Sequence, residues 1–301
     1  MLRFFLALLM VIAAVQAEHG VSPLEVYWRS VLPNATMPPA IRDLIRPGQG
    51  INRVIINDGN NCTGISYILS KNIPSQYLTP QHILSILFLE KDLYPGAKLK
   101  GVHLINRTII GNFFVPLTEA DSITFTSKNL PKILEHYSMT SGSEEAKLIE
   151  DTLNTCEAPS LNAEKKFCST SLESLIDNVS SLLGTRDIQA FSTIINEPRD
   201  ESMVYNIASP IKKFPEQKKF VLCHPLPSPQ AVHYCHTSSM YKVSIVPLVG
   251  NNGSMVNAIT VCHHDIKNFN PFILEVLKIK SYNEPICHFL SGDQLVWFGN
   301  Q

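Results

Sequence analysis

Apolar positions change their spacing partway along this chain. From Ser171 to Leu183, Leu172, Leu175, Ile176, Val179, Leu182 and Leu183 recur at three- and four-residue intervals, which predicts an amphipathic helix. Thr170 with Glu173 reads as its capping box and Gly184 as its stop. A second helix is predicted from Glu144 to Thr155, with Ser143 as N-cap and Ala146, Ile149 and Leu153 inward. From Asp187 onward the pattern turns to strand. Phe220 to Leu222, Tyr241 to Val249 and Ala258 to Val261 are β-branched or aromatic runs bounded by Pro, Gly and Asn. Asn251-Asn252-Gly253 between two of them predicts a hairpin turn, and Asn270-Pro271 opens a short helix through Leu277. Phe113-Phe114 and Trp297 read as core.

Before these elements the periodicity is weak. Residues 18–82, rich in Pro, Asn and Gly, are expected to form an extended, partly disordered lead segment with no core of its own. Residues 1–17 read as a secretory signal. Arg3 is the positive end, Phe4 to Val15 the apolar run, and Val15-Gln-Ala17 a small-residue cleavage site. That run is too short to span a bilayer, and no second apolar stretch of spanning length follows. Asn34, Asn61, Asn106, Asn178 and Asn252 each begin a glycosylation sequon. Asn178 falls on the predicted helix and is the one expected to stay unmodified if its face is buried.

Charge excludes little else. The chain carries 25 basic and 26 acidic residues, with no groove-like or polybasic run to suggest nucleic acid or a membrane surface. The sequence has no GxSxG elbow, phosphate-binding glycine loop or HExxH, and it carries no signal for oligomeric state.

The chemistry lies in a repeated dipeptide. Cys223-His224, Cys235-His236, Cys262-His263 and Cys287-His288 are separated by ten, twenty-five and twenty-three residues. Neighbours on a regular strand point to opposite faces, so the cysteines form one set and the histidines another. In an oxidising compartment the cysteines could pair as disulfides, leaving imidazoles suited to Cu(II) or Zn(II). Both a metal site and a structural role for disulfides and core histidines are compatible with the spacing. All eight residues stand as candidate ligands, with His264 and, more weakly, His233 as additional imidazoles. Cys156 and Cys168, twelve apart between the two predicted helices, are expected to form a disulfide, and Cys62 is left over.

The CH-x10-CH-x25-CH-x23-CH pattern resembles the signature of the plant BURP-domain family, with a slightly short final spacing. The resemblance extends to Phe88–Gly96, to Cys156-Glu-Ala-Pro159 with Glu164–Ser174, and to Tyr27-Trp28 through Met37-Pro38. It implies an α+β fold over residues 83–301, with a helical N-terminal half and a β-rich C-terminal half carrying the four Cys-His pairs. It also raises the metal reading, with copper as the cofactor. The implied role is that of a secreted protein of the apoplast, cell wall or vacuole, acting non-catalytically beside a wall polysaccharide or wall enzyme. The alternative is a copper-dependent peptide cyclase that crosslinks an aromatic side chain of a core peptide. Trp28 is the only tryptophan in the lead segment that could serve as such an acceptor.

Overall fold

The computed structural model describes residues 21–45, 79–99, 104, 113–160, 164–195, 203–215, 218–237 and 240–300. The expected signal, Cys62, and the sequons at Asn61 and Asn106 lie outside them.

Six of the helices frame the fold. They are α1 (Pro23–Val31), α2 (Pro80–Ile86), α3 (Leu130–His136), α4 (Glu144–Glu157), α5 (Leu172–Leu183) and α6 (Pro271–Val276). The early strands are β1 (Leu87–Leu89), β2 (Lys98–Leu99), β3 (Lys165–Ser169) and β4 (Ile188–Phe191). Next come β5 (Tyr205–Ile207), β6 (Lys212–Lys213), β7 (Phe220–Leu226) and β8 (Val232–Thr237). The last four are β9 (Tyr241–Gly250), β10 (Met255–His263), β11 (Ile286–Phe289) and β12 (Leu295–Gly299).

These strands make two antiparallel sheets. One has the order β1-β11-β10-β9-β5-β2, with β6 also on β9; the other runs β3-β8-β7-β12-β4. Phe220, Leu222, Val296 and Phe298 of the second sheet pack on Val243, Ile259 and Val261 of the first, so one core lies between the sheets. The outer face of the second sheet is covered by α5 and α1, where Val221, Leu295 and Trp297 meet Leu175, Ile176 and Trp28. That packing is what α5's apolar spacing encodes.

The expectation of a helical N-terminal half is overturned. The domain is β-rich, its helices are few and short, and the strands of the two halves interleave. β1 pairs with β11, β2 with β5, β3 with β8 and β4 with β12. Strands of two to five residues are too short to print a period-two signal of their own. Their pairing comes from partners about 70 to 200 residues later, an instance of tertiary context overriding local propensity.

Two local readings also change. The cap of α5 is Ser171, whose Oγ accepts the Ser174 backbone N–H at 3.1 Å, rather than Thr170 with Glu173. β3 runs to Ser169 and Leu172 is already the first buried helical residue, so the boundary falls one residue later than the sequence suggested. The lead segment was expected to be extended. In its described part, α1 instead buries Trp28 against Trp297, ring centroids 5.8 Å apart, and the indole N–H donates to Ala35 O.

Of the described sequons, Asn34 and Asn252 are exposed, the latter in the β9–β10 hairpin where Gly253 takes a positive φ of 85°. Asn178 is half-buried on α5 with its Nδ2 donating to Ser169 Oγ, and Ser180 of the same sequon is buried. No described helix is long and apolar enough to cross a membrane.

Candidate metal centre

Two strand pairs carry the four Cys-His dipeptides, and both solve the same geometric problem in the same way. In β7 and β8, Cys223 lies directly opposite Cys235, while His224 faces Tyr234 and His236 faces Leu222 across the ladder. In β10 and β11, Cys262 lies opposite Cys287, while His263 faces Ile286 and His288 faces Val261. Side chains alternate between faces, so each pair places its two sulfurs together on one side and its two imidazoles diagonally on the other. The sulfurs are bonded as Cys223–Cys235 and Cys262–Cys287. A third disulfide, Cys156–Cys168, ties the last turn of α4 to β3. As disulfides these sulfurs offer no thiolate, and the candidate ligand set narrows to imidazoles.

The two sulfur faces enter different cores. Cys223 and Cys235 sit among Trp28, Leu175 and Trp297. Cys262 and Cys287 sit among Phe88, Leu248 and Phe289. The imidazoles all face the space between the sheets, continuing the parity of Leu222 and Val261. Their rings form a row with Tyr241 at its middle. Centroid separations are 5.2 Å for His224–His236, 5.7 Å for His236–Tyr241, 4.8 Å for Tyr241–His263 and 5.3 Å for His263–His288.

Within each pair the Nε2 atoms approach one another, at 3.0 Å for His224 and His236 and 3.2 Å for His288 and His263. At metal–nitrogen distances of about 2.0–2.1 Å, two imidazoles on one ion stand about 2.9–3.4 Å apart, depending on the angle between them. Each pair therefore fits two adjacent ligands of one first-row metal. The four do not close around a single ion. Among the described residues no group of three or more His, Cys, Asp or Glu side chains is arranged as a ready cage.

The electrostatics differ along the row. Burial, with His288, His236, His224 and His264 nearby, holds His263 well below the ordinary imidazole range. Burial also takes His288 down to about 4, against the opposing pull of the Phe289 carbonyl 3.2 Å from Nδ1. At the other end His236 Nδ1 lies 2.5 Å from Glu164 Oε1, a contact without the geometry of a hydrogen bond. Burial, then the nearby Glu164 carboxylate, pushes the Tyr241 phenol upward, and the phenol donates to that carboxylate.

The two additional imidazoles lie apart from the row. His264 Nε2 is 3.6 Å from Glu90 Oε2, and its backbone N–H donates to Met240 O. His233 occupies the sulfur-bearing face of β8, stacked on Phe114 at 5.4 Å, and burial lowers it to about 4. Glu164 and Tyr241 were not singled out as site residues from sequence. A carboxylate just before a strand that pairs with a Cys-His strand was the available signal for Glu164; for Tyr241 it was the start of the strand that pairs with Cys262-His263.

A BURP domain model matches residues 86–299, most of the chain. The chain is 35% identical over 294 residues to BURP domain-containing protein 5 of Oryza sativa subsp. japonica, covering 93% of this chain and 88% of that protein. BURP domain-containing protein 2 of the same rice is 33% identical, with 97% of each chain covered. BURP domain protein RD22 of Arabidopsis thaliana is 37% identical over 218 residues, 71% of this chain and 55% of RD22. A two-sheet domain with mirrored Cys-His strand pairs, together with these matches, defines the class. The chain belongs to the BURP-domain family of plant proteins.

Proposed function

We propose that this chain is a secreted, copper-binding BURP-domain protein with a non-catalytic role in the apoplast, cell wall or vacuole. One observation carries the reading: two histidine pairs with Nε2 atoms at ligand spacing face one inter-sheet space while every sulfur beside them is bonded away. Imidazole without thiolate suits Cu(II) over softer-metal alternatives. Three disulfides fit a protein matured in an oxidising compartment. When bound, copper would supply a Lewis-acidic or redox-active centre, held by His224 with His236 and by His263 with His288. The partner in this reading is a wall polysaccharide or a wall enzyme.

The cyclase alternative needs an aromatic acceptor on a free segment. Trp28 is 1% exposed and locked against Trp297, which supports the non-catalytic reading over crosslinking at that indole.

Copper titration with metal analysis and electron paramagnetic resonance tests the proposal. The native chain should bind copper. Replacing His224, His236, His263 and His288 together with Ala should abolish binding while peptide mapping still finds all three disulfides. Undiminished stoichiometry in the quadruple variant refutes the site.

A further inference from the structure

We propose that Lys212, Lys213, Lys218 and Lys219 form a docking surface for an acidic polysaccharide, a polyuronate whose sugar rings carry free carboxylates. The inference rests on the reading above for its wall setting, and it gives the polysaccharide partner a chemical class and a place on the molecule. It requires no copper.

The lysines come as two pairs separated by four residues, too sparse to read as a polybasic run in a chain of formal net charge −1. The fold concentrates them. Lys212 and Lys213 make up β6, which pairs with β9, and the Phe214 N–H then donates to Val243 O. Lys218 and Lys219 lead directly into Phe220, the first residue of β7 in the other sheet. Phe214 meets Phe220 edge to face at 5.5 Å between centroids and stands 4.9 Å from Phe298. These ring contacts draw both lysine pairs to one edge of the space between the sheets. Phe220 lies four residues before His224 on the same face of β7, about 13 Å along the strand, so this edge is separate from the histidine row.

The ammonium groups are held without being neutralised. Lys212 Nζ is 5.5 Å from the Phe214 ring centroid and Lys218 Nζ is 4.7 Å from that of Phe298. A ring face steadies a cation and leaves its charge in place. Lys212, Lys213 and Lys219 are exposed and Lys218 is half-buried. Among the described residues none of the four forms an ion pair, whereas Lys91, Arg29 and Arg186 each have a carboxylate. Glu216, the one acid between the pairs, lies outside the described residues. Four cations on one edge create a local positive potential that attracts a polyanion.

Two further features select the class of polyanion. The segment has no arginine, the residue whose planar fork favours phosphate and nucleic acid. It also has no exposed large apolar side chain to enter a lipid surface or stack on bases. Separate point charges on flexible stems suit carboxylates that recur one per sugar along a chain.

Calorimetric titration of the metal-free full-length chain with oligogalacturonate tests the proposal. The chain should bind it, more weakly as salt rises, and should not bind the fully methyl-esterified oligomer, which has the same sugars without charge. Lys212→Gln, Lys213→Gln, Lys218→Gln and Lys219→Gln together should weaken binding on the order of tenfold to a hundredfold, and Arg at the same four positions should retain it. Gln at Lys132, Lys147, Lys267 and Lys280 removes the same charge elsewhere and should leave binding nearly unchanged. Equal binding of the free and esterified oligomers overturns the proposal, as does an equal loss in the two Gln variants. So does a chain that uses these lysines for phosphatidylserine vesicles or duplex DNA and takes up no oligogalacturonate. Copper binding without oligogalacturonate binding removes this surface alone, and the converse removes the copper reading alone.

Discussion

The β7/β8 and β10/β11 pairs share one plan and differ in their surroundings. Each has a directly opposed disulfide and a diagonal histidine pair. The β7/β8 pair opens toward solvent at His224 and meets a carboxylate at His236. The β10/β11 pair is buried, and His288 Nδ1 faces the Phe289 carbonyl. The same four-residue geometry thus yields one pair beside a carboxylate and one pair whose imidazoles burial holds below their ordinary range. Strand register brings each pair of imidazoles together, and what surrounds them differs.

The largest expected effect concerns what covers the first disulfide. Trp28 lies over Cys223–Cys235 with Trp297, whereas Phe88 and Phe289 share the core of Cys262–Cys287. Trp28→Ala should cost about 3–5 kcal/mol in denaturant unfolding. A cost below about 1 kcal/mol would mean that the lead helix is not integral to the β7/β8 half.

Removing each disulfide by paired Cys→Ala replacement sharpens the comparison. Loop-closure entropy predicts a loss of about 3 kcal/mol for the twelve-residue separation of Cys223–Cys235 and about 3.5 kcal/mol for the twenty-five of Cys262–Cys287. Guanidinium titration of the two variants should rank them in that order. The reverse ranking would show that local packing outweighs chain entropy.

Acid titration separates the two faces of β8. Burial lowers His233 from 6.5 to about 4, so the folded chain keeps it neutral. Above pH 6.5 neither state binds the proton and this group adds no pH dependence. As pH falls from 6.5 to about 4 the unfolded chain gains a proton that the folded chain refuses, and stability declines by roughly 3 kcal/mol. His233→Phe should flatten that part of the stability–pH curve. An unchanged slope would place the acid sensitivity in other groups.

The smallest effect addresses the helix beneath the β7/β8 disulfide. Ser171→Ala should cost about 1 kcal/mol through loss of the α5 cap, while Thr170→Ala should leave unfolding nearly unchanged. The opposite result would return the cap to Thr170.

Features with local causes were legible in the sequence. Leu172 to Leu183 spelled out α5 because its apolar stripe has to meet one sheet, and Asn251 to Gly253 marked the hairpin because Gly253 needs a positive φ. Alternation along a strand separated Cys from His before any coordinates. The short strands β1 to β4 were not legible, since partners far along the chain define them. Nor was the placement of Glu164 beside His236. A carboxylate before a strand becomes a partner for His236 only once the β3–β8 register is known.

The opposed cysteines also act on folding. Slipping either strand pair by one residue would turn a sulfur face into an imidazole face and separate the two thiols. Oxidation therefore rewards one alignment, the alignment that also gathers the histidines. A maturing chain in which the two bonds have closed has had its strand register proofread at both places. The covalent step serves as quality control for the alignment that brings the four imidazoles to one side.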